Sequence, residues 1–277
     1  NNIFNIAVEG SFDDCQKIVK DMFNDNVFRE KINMSGVNSI NWARIICQIV
    51  YYFYAAFKVG KQNISFSVPT GNFGDIYAGY MAKKMGLSID KLIIATNENN
   101  ILQRVISSGE YKPSKVKPSL SPSMDIQVSS NFERLLFDIL GEDDKKVSSL
   151  MEGLKKNGFF KLDQKSVQII KKDFCAEKIN DEETVTIIKN LNIESKFISD
   201  PHTATAFGAT KKTNKISETI ILGTAHPYKF LETVKKATGI EIKAPSHLSN
   251  MIDKEERFDI VDNNISKIKN YILEKTI

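Results

Sequence analysis

The spacing of apolar side chains predicts a strand, a glycine loop and a helix in direct succession. Ile64, Phe66 and Val68 lie two positions apart, which is the period of a half-buried strand, and Pro69 ends that strand. The turn that follows contains two glycines, which tolerate positive φ and let a ligand approach the backbone closely. Residues 76–85 then have the pattern of a helix.

The same order of strand and helix recurs along the chain and predicts an α/β protein. Further strands are predicted at residues 3–8, 92–96 and 218–222, and further helices at 12–23, 38–58, 97–107, 133–140, 145–157, 164–176, 182–190, 202–210 and from 228 onwards. Residues 24–37 are polar and rich in helix breakers, which predicts a connector between two bodies. Residues 108–123 form a long predicted loop, a kind of segment that often carries function.

The turn after the first strand is a candidate anion site. A helix N-terminus offers unpaired N–H donors and a partial positive charge. The sequence Gly71-Asn72-Phe73-Gly74-Asp75 has neither the lysine of a nucleoside-triphosphate loop nor the spacing of a dinucleotide fingerprint. Backbone amides would then hold a single phosphate monoester. The alternative is an ordinary turn whose glycines serve geometry alone.

The long helix that begins near Asn38 is apolar around nearly its whole circumference, which predicts that it is buried. Asn41, Arg44 and Gln48 share one face, and Asn38 or Ser39 is the expected N-cap. A buried guanidinium requires an anion. That anion is either a carboxylate of the same protein or a second phosphate, which arginine can bind through two parallel hydrogen bonds.

Other polar positions have plain structural interpretations. Ser130 and Glu133 have the spacing of a capping box, and Asp200 precedes Pro201 as a helix cap would. His202 and His226 have no carboxylate or cysteine at metal-ligand spacing, so the sequence favours packing or capping roles and predicts no metal site.

Composition narrows the functional class. The 277 residues are 42% hydrophobic and 26% charged, and the net charge of +4 is spread along the chain without a concentrated basic tract. This argues against nucleic acid or a membrane surface as a partner. The three cysteines fit neither a disulfide framework nor a zinc site, so we expect a reducing, cytoplasmic setting. The chain begins at Asn1 without a methionine, and we expect it to be part of something longer.

Four motifs together resemble a known family. VPTGNFGD, NSINWAR, DPHTATAF and LGTAHPYKF are similar to segments of the C-terminal two thirds of bacterial threonine synthase, and the similarity covers nearly the whole chain. That family consists of fold-type II pyridoxal-phosphate enzymes, similar to tryptophan synthase β. The resemblance implies a three-layer α/β/α open twisted sheet that is truncated at its N-terminus. It also implies two domains: residues 1–37 as the remnant of a smaller substrate-side domain with its connector, and residues 38–277 as the large cofactor domain with a helical insertion around 108–200.

The resemblance also implies an activity and its residues. The family is a lyase that converts O-phospho-L-homoserine and water to L-threonine and phosphate in threonine biosynthesis, with pyridoxal 5'-phosphate as cofactor. By this resemblance the cofactor phosphate is bound by Gly71, Asn72, Phe73, Gly74 and Asp75, and Thr224 offers its hydroxyl to the pyridine nitrogen. The substrate phosphate is bound by Asn38, Ser39 and Arg44, with Asn72 nearby. Together with the sequence pattern, this predicts two anion pockets that face one another.

One departure from the family pattern concerns the catalytic lysine. The family's Schiff-base lysine lies in an F-K-D-like segment that has no match here, so we expect it before Asn1 and expect the chain alone to lack turnover. Two alternatives stay open. The chain could belong to another fold-type II lyase, such as a serine or threonine dehydratase, or to a non-catalytic phosphate-binding relative. The sequence leaves the oligomeric state open.

Overall fold

The structure, a computed structural model, describes residues 2–10, 12–37, 39–213, 218–249 and 254–276. The strands are β1 (Ile6–Glu9), β2 (Ile64–Pro69), β3 (Ile89–Thr96), β4 (Glu110–Tyr111), β5 (Phe160–Lys161), β6 (Phe174–Lys178), β7 (Thr219–Ile221) and β8 (Asp259–Asp262). The helices are α1 (Phe12–Asn24), α2 (Asn26–Lys31), α3 (Trp42–Val59), α4 (Gly74–Lys84), α5 (Ile101–Ser108), α6 (Phe132–Ile139), α7 (Asp144–Asn157), α8 (Gln164–Asp173), α9 (Asp181–Ser195), α10 (Pro201–Lys212), α11 (Leu231–Thr238), α12 (Ser246–Ser249) and α13 (Ile265–Thr276), with 3-10 turns at Pro122–Met124 and Pro227–Phe230.

The chain forms two compact units, and their boundaries differ from the predicted domains. One unit is Val37–Ala244, and the other combines Asn1–Gly36 with Pro245–Ile277. The sequence analysis placed the C-terminal segment in the large domain, but this segment belongs to the other unit. The physical reason is strand pairing, because β1 and β8 pair in parallel and a small apolar core that includes Ile18 and Ile268 lies in the same unit.

The large unit contains a four-stranded parallel sheet in the order β6-β3-β2-β7 with helices on both faces. On one face, Phe66 and Leu92 pack in the main core with Tyr52 of α3 and residues of α4, α5 and α8. On the other face, small side chains of α10 let that helix approach Ile93 and Ala95 of β3. The predicted three-layer α/β/α class is thus confirmed for this unit.

Strand β2 is more buried than its alternating pattern predicted. The prediction of a half-buried strand was wrong, since the residues between Ile64 and Val68 are all buried. Parallel strands at the centre of a sheet are covered on both faces. The polar position Ser67 is accommodated because its hydroxyl donates to the carbonyl of Ala206 in α10 at 2.8 Å.

Helix α3 is less buried than predicted. One face carries the buried residues Ile45, Ile49, Tyr52 and Ala56. Large apolar side chains on other parts of the helix are exposed, including Phe57 at 73% of its accessible surface. Apolar residues all around a helix do not by themselves show that every face is buried. In the described part of the chain, other elements cover only the face of α3 that carries Ile45, Ile49, Tyr52 and Ala56.

Several predicted elements differ in detail. The predicted connector contains α2, and the predicted helix 164–176 ends at Asp173, after which β6 extends the main sheet. The expected capping box at Ser130 does not form, since Asn131 occupies the N-cap of α6 without a side-chain cap bond. A capping box forms instead at the start of α9, where the side chains and backbones of Asn180 and Glu183 bond reciprocally.

The long loop after β4 is fixed to the end of β3 by a buried polar cluster. Asp125 accepts hydrogen bonds from the amides of Asn97 at 2.8 Å and Asn99 at 2.9 Å, and from the hydroxyl of Ser119 at 2.6 Å. The segment from residue 123 onwards is thereby held beside the carboxyl edge of the sheet. Within the described ranges, the structure contains no helix with the length and apolar character needed to cross a membrane.

Two helical glycines provide a test of the packing between α3 and α4. A Cβ atom at Gly79 of α4 would lie 2.5 Å from Cε1 of Tyr52, whereas the nearest atom to a Cβ at Gly153 of α7 is the carbonyl oxygen of Phe159 at 3.7 Å. Gly79→Ala should therefore destabilise the chain by about 1–3 kcal/mol through overpacking. Gly153→Ala should stabilise it by about 0.5–1 kcal/mol, because alanine is the better helix former.

Denaturant unfolding of the two variants beside the unchanged chain measures both effects. Equal shifts in the free energy of unfolding for the two substitutions would contradict the packing described.

Candidate active site

A pocket of about 120 Å³ opens where β2 ends and α4 begins. It combines the glycine loop with residues from the start of α3, and it is lined by Ser39, Arg44, Gln48, Pro69, Thr70, Gly71, Asn72, Phe73, Gly74, Asp75 and Ile76. In open parallel sheets, ligands bind outside the carboxyl ends of the strands, which is where this pocket lies. Members of both predicted sets, Ser39 and Arg44 on one side and Gly71 to Asp75 on the other, thus line one pocket, whereas the sequence predicted two that face each other.

The left-handed position of the loop is Phe73 and not a glycine. Phe73 is the N-cap of α4 with φ +65°, while neither Gly71 nor Gly74 is among the residues with positive φ. A bulky residue in this conformation is strained. The ring compensates by packing against Phe132 at 5.4 Å and Phe174 at 5.6 Å between centroids. The two glycines tolerate positive φ, but neither adopts it here.

Close approach disfavours a side chain at Gly71, whereas a Cβ at Gly74 would lie at ordinary contact distance. A Cβ at Gly71 would lie 3.1 Å from the carbonyl oxygen of Ser123 and 3.2 Å from Cα of Met124. A Cβ at Gly74 would lie 3.4 Å from Nδ2 of Asn131 and 3.5 Å from the carbonyl oxygen of Ser39. The loop thus packs against the segment around Ser123 and Met124 and against Asn131 and Ser39, which restrict its conformation.

The residues that support the loop were not identified from the sequence. Ser129 donates its hydroxyl to the carbonyl of Gly71 at 2.8 Å, and Ser130 donates to Oδ1 of Asn72 at 3.3 Å. The backbone N–H of Asn131 donates to the carbonyl of Asn72 at 3.0 Å. The available signal was a run of three polar residues before an apolar helix, which we interpreted as the start of a capping box.

Arg44 lies beside the glycine loop and is exposed. Its Nη1 donates to the carbonyl of Val37 at 3.1 Å. The ion pairs formed by the described residues do not include Arg44. Among those residues, Arg44 therefore has no carboxylate partner, which was one of the two predicted alternatives. The N-cap of α3 is Asn41, whose side chain accepts from the N–H of Ala43, and not Asn38 or Ser39 as predicted. Asn38 lies outside the described residues.

The acidic residue of the loop, Asp75, is half-buried against a tyrosine. The hydroxyl of Tyr52 donates to the carbonyl of Asp75 at 2.8 Å and lies 3.3 Å from its Oδ1. Burial raises the pKa of Asp75 to about 6, and the hydrogen bond from Tyr52 opposes that rise. Burial also raises the pKa of Tyr52, so its hydroxyl remains a donor. Asp75 therefore changes charge in the neutral to mildly acidic range.

Thr224 follows the strand next to the glycine loop. Strand β7 pairs with β2, with Ile221 opposite Ser67, so both strands end at the same edge of the sheet. Thr224 itself is exposed and is not among the residues that line the pocket. Its N–H donates to Oγ1 of Thr203 at 3.4 Å.

The two histidines have the structural roles predicted for them. Asp200 caps α10 by accepting from the N–H groups of His202 and Thr203. Nδ1 of the buried His202 lies 3.2 Å from Oδ1 of Asp200, and its Nε2 accepts from the N–H of Ser123 at 3.2 Å. Burial raises the pKa of Asp200, but hydrogen bonds from His202 and Thr203 outweigh this and leave the pKa lowered. His226 caps a 3-10 turn by accepting from the N–H of Tyr228.

The donor set of the pocket suits a phosphate group. The first N–H groups of α4 have no partner within the helix, and glycines at Gly71 and Gly74 keep side chains away from them. Arg44 adds a guanidinium to the same pocket. A pyridoxal-phosphate cofactor therefore fits these residues through its phosphate. No cluster of three or more metal-binding side chains occurs in the described ranges.

Sequence comparisons match this chain to threonine synthases along nearly its whole length. Residues 203–272 match a family model described as "Threonine synthase, C-terminal". The threonine synthase of Pseudomonas aeruginosa is 45% identical over 277 residues, which covers 98% of this chain and 59% of that protein. The threonine synthase of Saccharomyces cerevisiae is 48% identical over 259 residues, which covers 85% of this chain and 50% of that protein.

Solved structures give the same result. The pyridoxal-phosphate-bound threonine synthase from Brucella melitensis has a TM-score of 0.94 and 44% identity, covering 99% of this chain and 60% of that one. The threonine synthase from Escherichia coli has a TM-score of 0.79 and 28% identity, covering 99% and 59%. Maize serine racemase, at 12% identity and a TM-score of 0.51, shares the fold alone and covers 83% of this chain and 63% of that one.

The fold and these similarities define the chain as a fold-type II pyridoxal-phosphate enzyme. Within that class, the chain belongs to the threonine synthase family. It spans 59% of the length of the Pseudomonas aeruginosa relative.

The raised pKa of Asp75 predicts pH-dependent anion binding. Above its pKa of about 6, the carboxylate opposes an anion in the loop, and protonation below that value removes the opposition. Sulfate is a suitable probe because its charge is constant between about pH 5 and 8. Calorimetric titration should show affinity for sulfate rising roughly tenfold as pH falls from about 8 to 5.

Asp75→Asn is the matched control, since the amide oxygen can still accept from Tyr52. Its sulfate affinity should be high and nearly constant with pH. A pH dependence that persists unchanged in this variant would contradict the role given to Asp75.

Proposed function

We propose that this chain forms the phosphate-binding part of a threonine synthase, which converts O-phospho-L-homoserine and water to L-threonine and phosphate. The observation that carries the proposal is a single pocket in which helix N–H donors and the guanidinium of Arg44 occur together. Its support also includes 45% identity to a threonine synthase over 98% of the chain. The proposal concerns the complete enzyme, because the chain spans 59% of that relative.

The glycine loop has the role of binding the cofactor phosphate. The residues proposed for it are Gly71, Asn72, Phe73, Gly74 and Asp75, through main-chain donors at the start of α4. When bound, pyridoxal phosphate supplies an electron sink for bonds at the α-carbon of an amino acid. Thr224 is proposed to donate one hydrogen bond to the pyridine nitrogen, which an uncharged hydroxyl leaves largely unprotonated.

The start of α3 has the role of binding the substrate phosphate. Arg44 can hold a phosphate through two parallel hydrogen bonds, and its exposed guanidinium lies in the pocket without a carboxylate partner among the described residues. Ser39 adds a hydroxyl, and Asn72 adds an amide on the loop side. Asn38 remains a prediction from the family resemblance. Holding the leaving phosphate in place also orients it for release.

The proposed enzyme needs a Schiff-base lysine, and we assign none within this chain. Neither Lys58 nor Lys229 lines the pocket described. The function is therefore proposed for the polypeptide encoded by the complete reading frame, with this chain as its phosphate-binding part. The cytoplasmic location and the oligomeric state remain predictions.

Substrate choice tests the proposal against another fold-type II lyase. The polypeptide from the complete reading frame should release phosphate and form threonine from O-phospho-L-homoserine. Formation of oxobutyrate from threonine, without phosphate release from O-phospho-L-homoserine, would favour a dehydratase. Binding of inorganic phosphate without turnover of either substrate would favour the non-catalytic alternative.

Removing the guanidinium tests the substrate-phosphate assignment. In the complete enzyme, Arg44→Ala should raise the KM for O-phospho-L-homoserine roughly tenfold or more, because a charge-assisted pair of hydrogen bonds is lost. The absorbance of bound cofactor should persist. Arg29→Ala is the matched control, since the Arg29 guanidinium also donates to a backbone carbonyl, that of Phe23, but does not line the pocket. Loss of cofactor in parallel with activity would refute the assignment.

Changing the hydroxyl of Thr224 tests the cofactor-nitrogen contact. Thr224→Asp should shift the absorption spectrum of bound cofactor, since a carboxylate favours protonation of the pyridine nitrogen. Thr210→Asp, on the part of α10 remote from the pocket lining, controls for the added charge. An unchanged spectrum in Thr224→Asp would count against the contact.

A further inference from the structure

A buried asparagine joins the two walls of the pocket. Asn131 has 0% of its surface exposed. Its Nδ2 donates to the carbonyl of Ser39 at 2.9 Å and to the carbonyl of Asn72 at 3.0 Å. One wall belongs to the segment that leads into α3, and the other belongs to the glycine loop. A single carboxamide therefore fixes the spacing between them.

An arginine on the next turn completes this connection. Nε of Arg134 donates to Oδ1 of Asn131 at 3.1 Å, and Nη2 donates to the carbonyl of Ile40 at 2.9 Å. The guanidinium also lies over the ring of Trp42, 5.3 Å from its centroid. Arg134 thus orients the carboxamide of Asn131 and holds the first residue of α3.

The arrangement requires the chemistry of asparagine. The amide supplies two N–H donors for the two carbonyls and an oxygen acceptor for Arg134. A serine has one donor, and an aspartate has none when ionised. The amide also lies against the loop, since a Cβ at Gly74 would be in van der Waals contact with Nδ2 of Asn131 at 3.4 Å. Small movements of this amide would therefore be transmitted to both walls.

We propose that Asn131, oriented by Arg134, is a positioning residue that sets Arg44 and Ser39 at the correct distance from the glycine loop. This inference rests on the proposed function of the pocket. Neither side chain lines the pocket, so both act through the residues that do. Its consequence is that the contribution of Arg44 to anion binding depends on Asn131.

A double-mutant cycle on the 277-residue chain tests this dependence. Calorimetric titration with sulfate is carried out on the unchanged chain, Arg44→Ala, Asn131→Ala and the double variant. Arg44→Ala should weaken sulfate binding roughly tenfold in the unchanged chain and by less than about threefold when Asn131 is already alanine. Equal effects of Arg44→Ala in both backgrounds would overturn the inference.

The chain's one tryptophan gives an independent readout of position. Trp42 is the first residue of α3 and contacts Arg134. The anisotropy of its fluorescence should fall in Asn131→Ala and in Arg134→Ala, because the start of α3 gains freedom. Glu133→Gln, at an exposed position of the same helix, should leave the anisotropy unchanged. Anisotropy that stays constant in all three variants would contradict a positioning role.

The outcomes separate this inference from the function on which it rests. If the unchanged chain binds no sulfate, or if Arg44→Ala has no effect on it, the phosphate pocket itself is refuted. If the unchanged chain binds sulfate through Arg44 but the cycle is additive, only the role of Asn131 fails. If thermal unfolding shows that Asn131→Ala does not fold, Arg134→Ala replaces it in the double-mutant cycle, because Arg134 is only half-buried. The expected result is the same.

Discussion

The main-chain donors at the start of α4 are the constraint on which the rest of the site depends. A helix N-terminus binds an anion only when no side chain blocks its N–H groups and when the preceding turn aims them into a pocket. Here Gly71 and Gly74 meet the first condition because neither carries a side chain, and at Gly71 the backbone of Ser123 and Met124 leaves little space for a Cβ. Phe73 meets the second by adopting a left-handed conformation, at a cost of about 1–3 kcal/mol. Its burial between two other phenylalanine rings offsets that cost.

The electrostatics of the pocket depend on opposing contributions. The helix end and Arg44 favour an anion, whereas Asp75 opposes one when it is ionised. Burial holds the pKa of Asp75 near 6, which limits the opposition, and Tyr52 fixes the carboxylate by a hydrogen bond. The pocket therefore favours an anion less when Asp75 is ionised than when it is protonated.

The sequence predicted the parts of the site that depend on local rules. The succession of strand, loop and helix follows from spacing and glycines between Ile64 and Lys84, and the cap at Asp200 follows from the residue pair Asp200-Pro201. It did not predict contacts between distant segments. Asn131 lies 92 positions from Ser39, and its bond to that residue has no local signature. The left-handed Phe73 was missed for the same reason, since aromatic rings from α6 and β6 stabilise it.

The function proposed for the pocket requires that a phosphate binds at the start of α4. A crystal structure of the chain with pyridoxal 5'-phosphate would locate the phosphate oxygens relative to the turn between β2 and α4. We expect those oxygens within about 2.7–3.2 Å of main-chain nitrogens between Gly71 and Ile76. A phosphate bound elsewhere on the chain, with none at this turn, would contradict it.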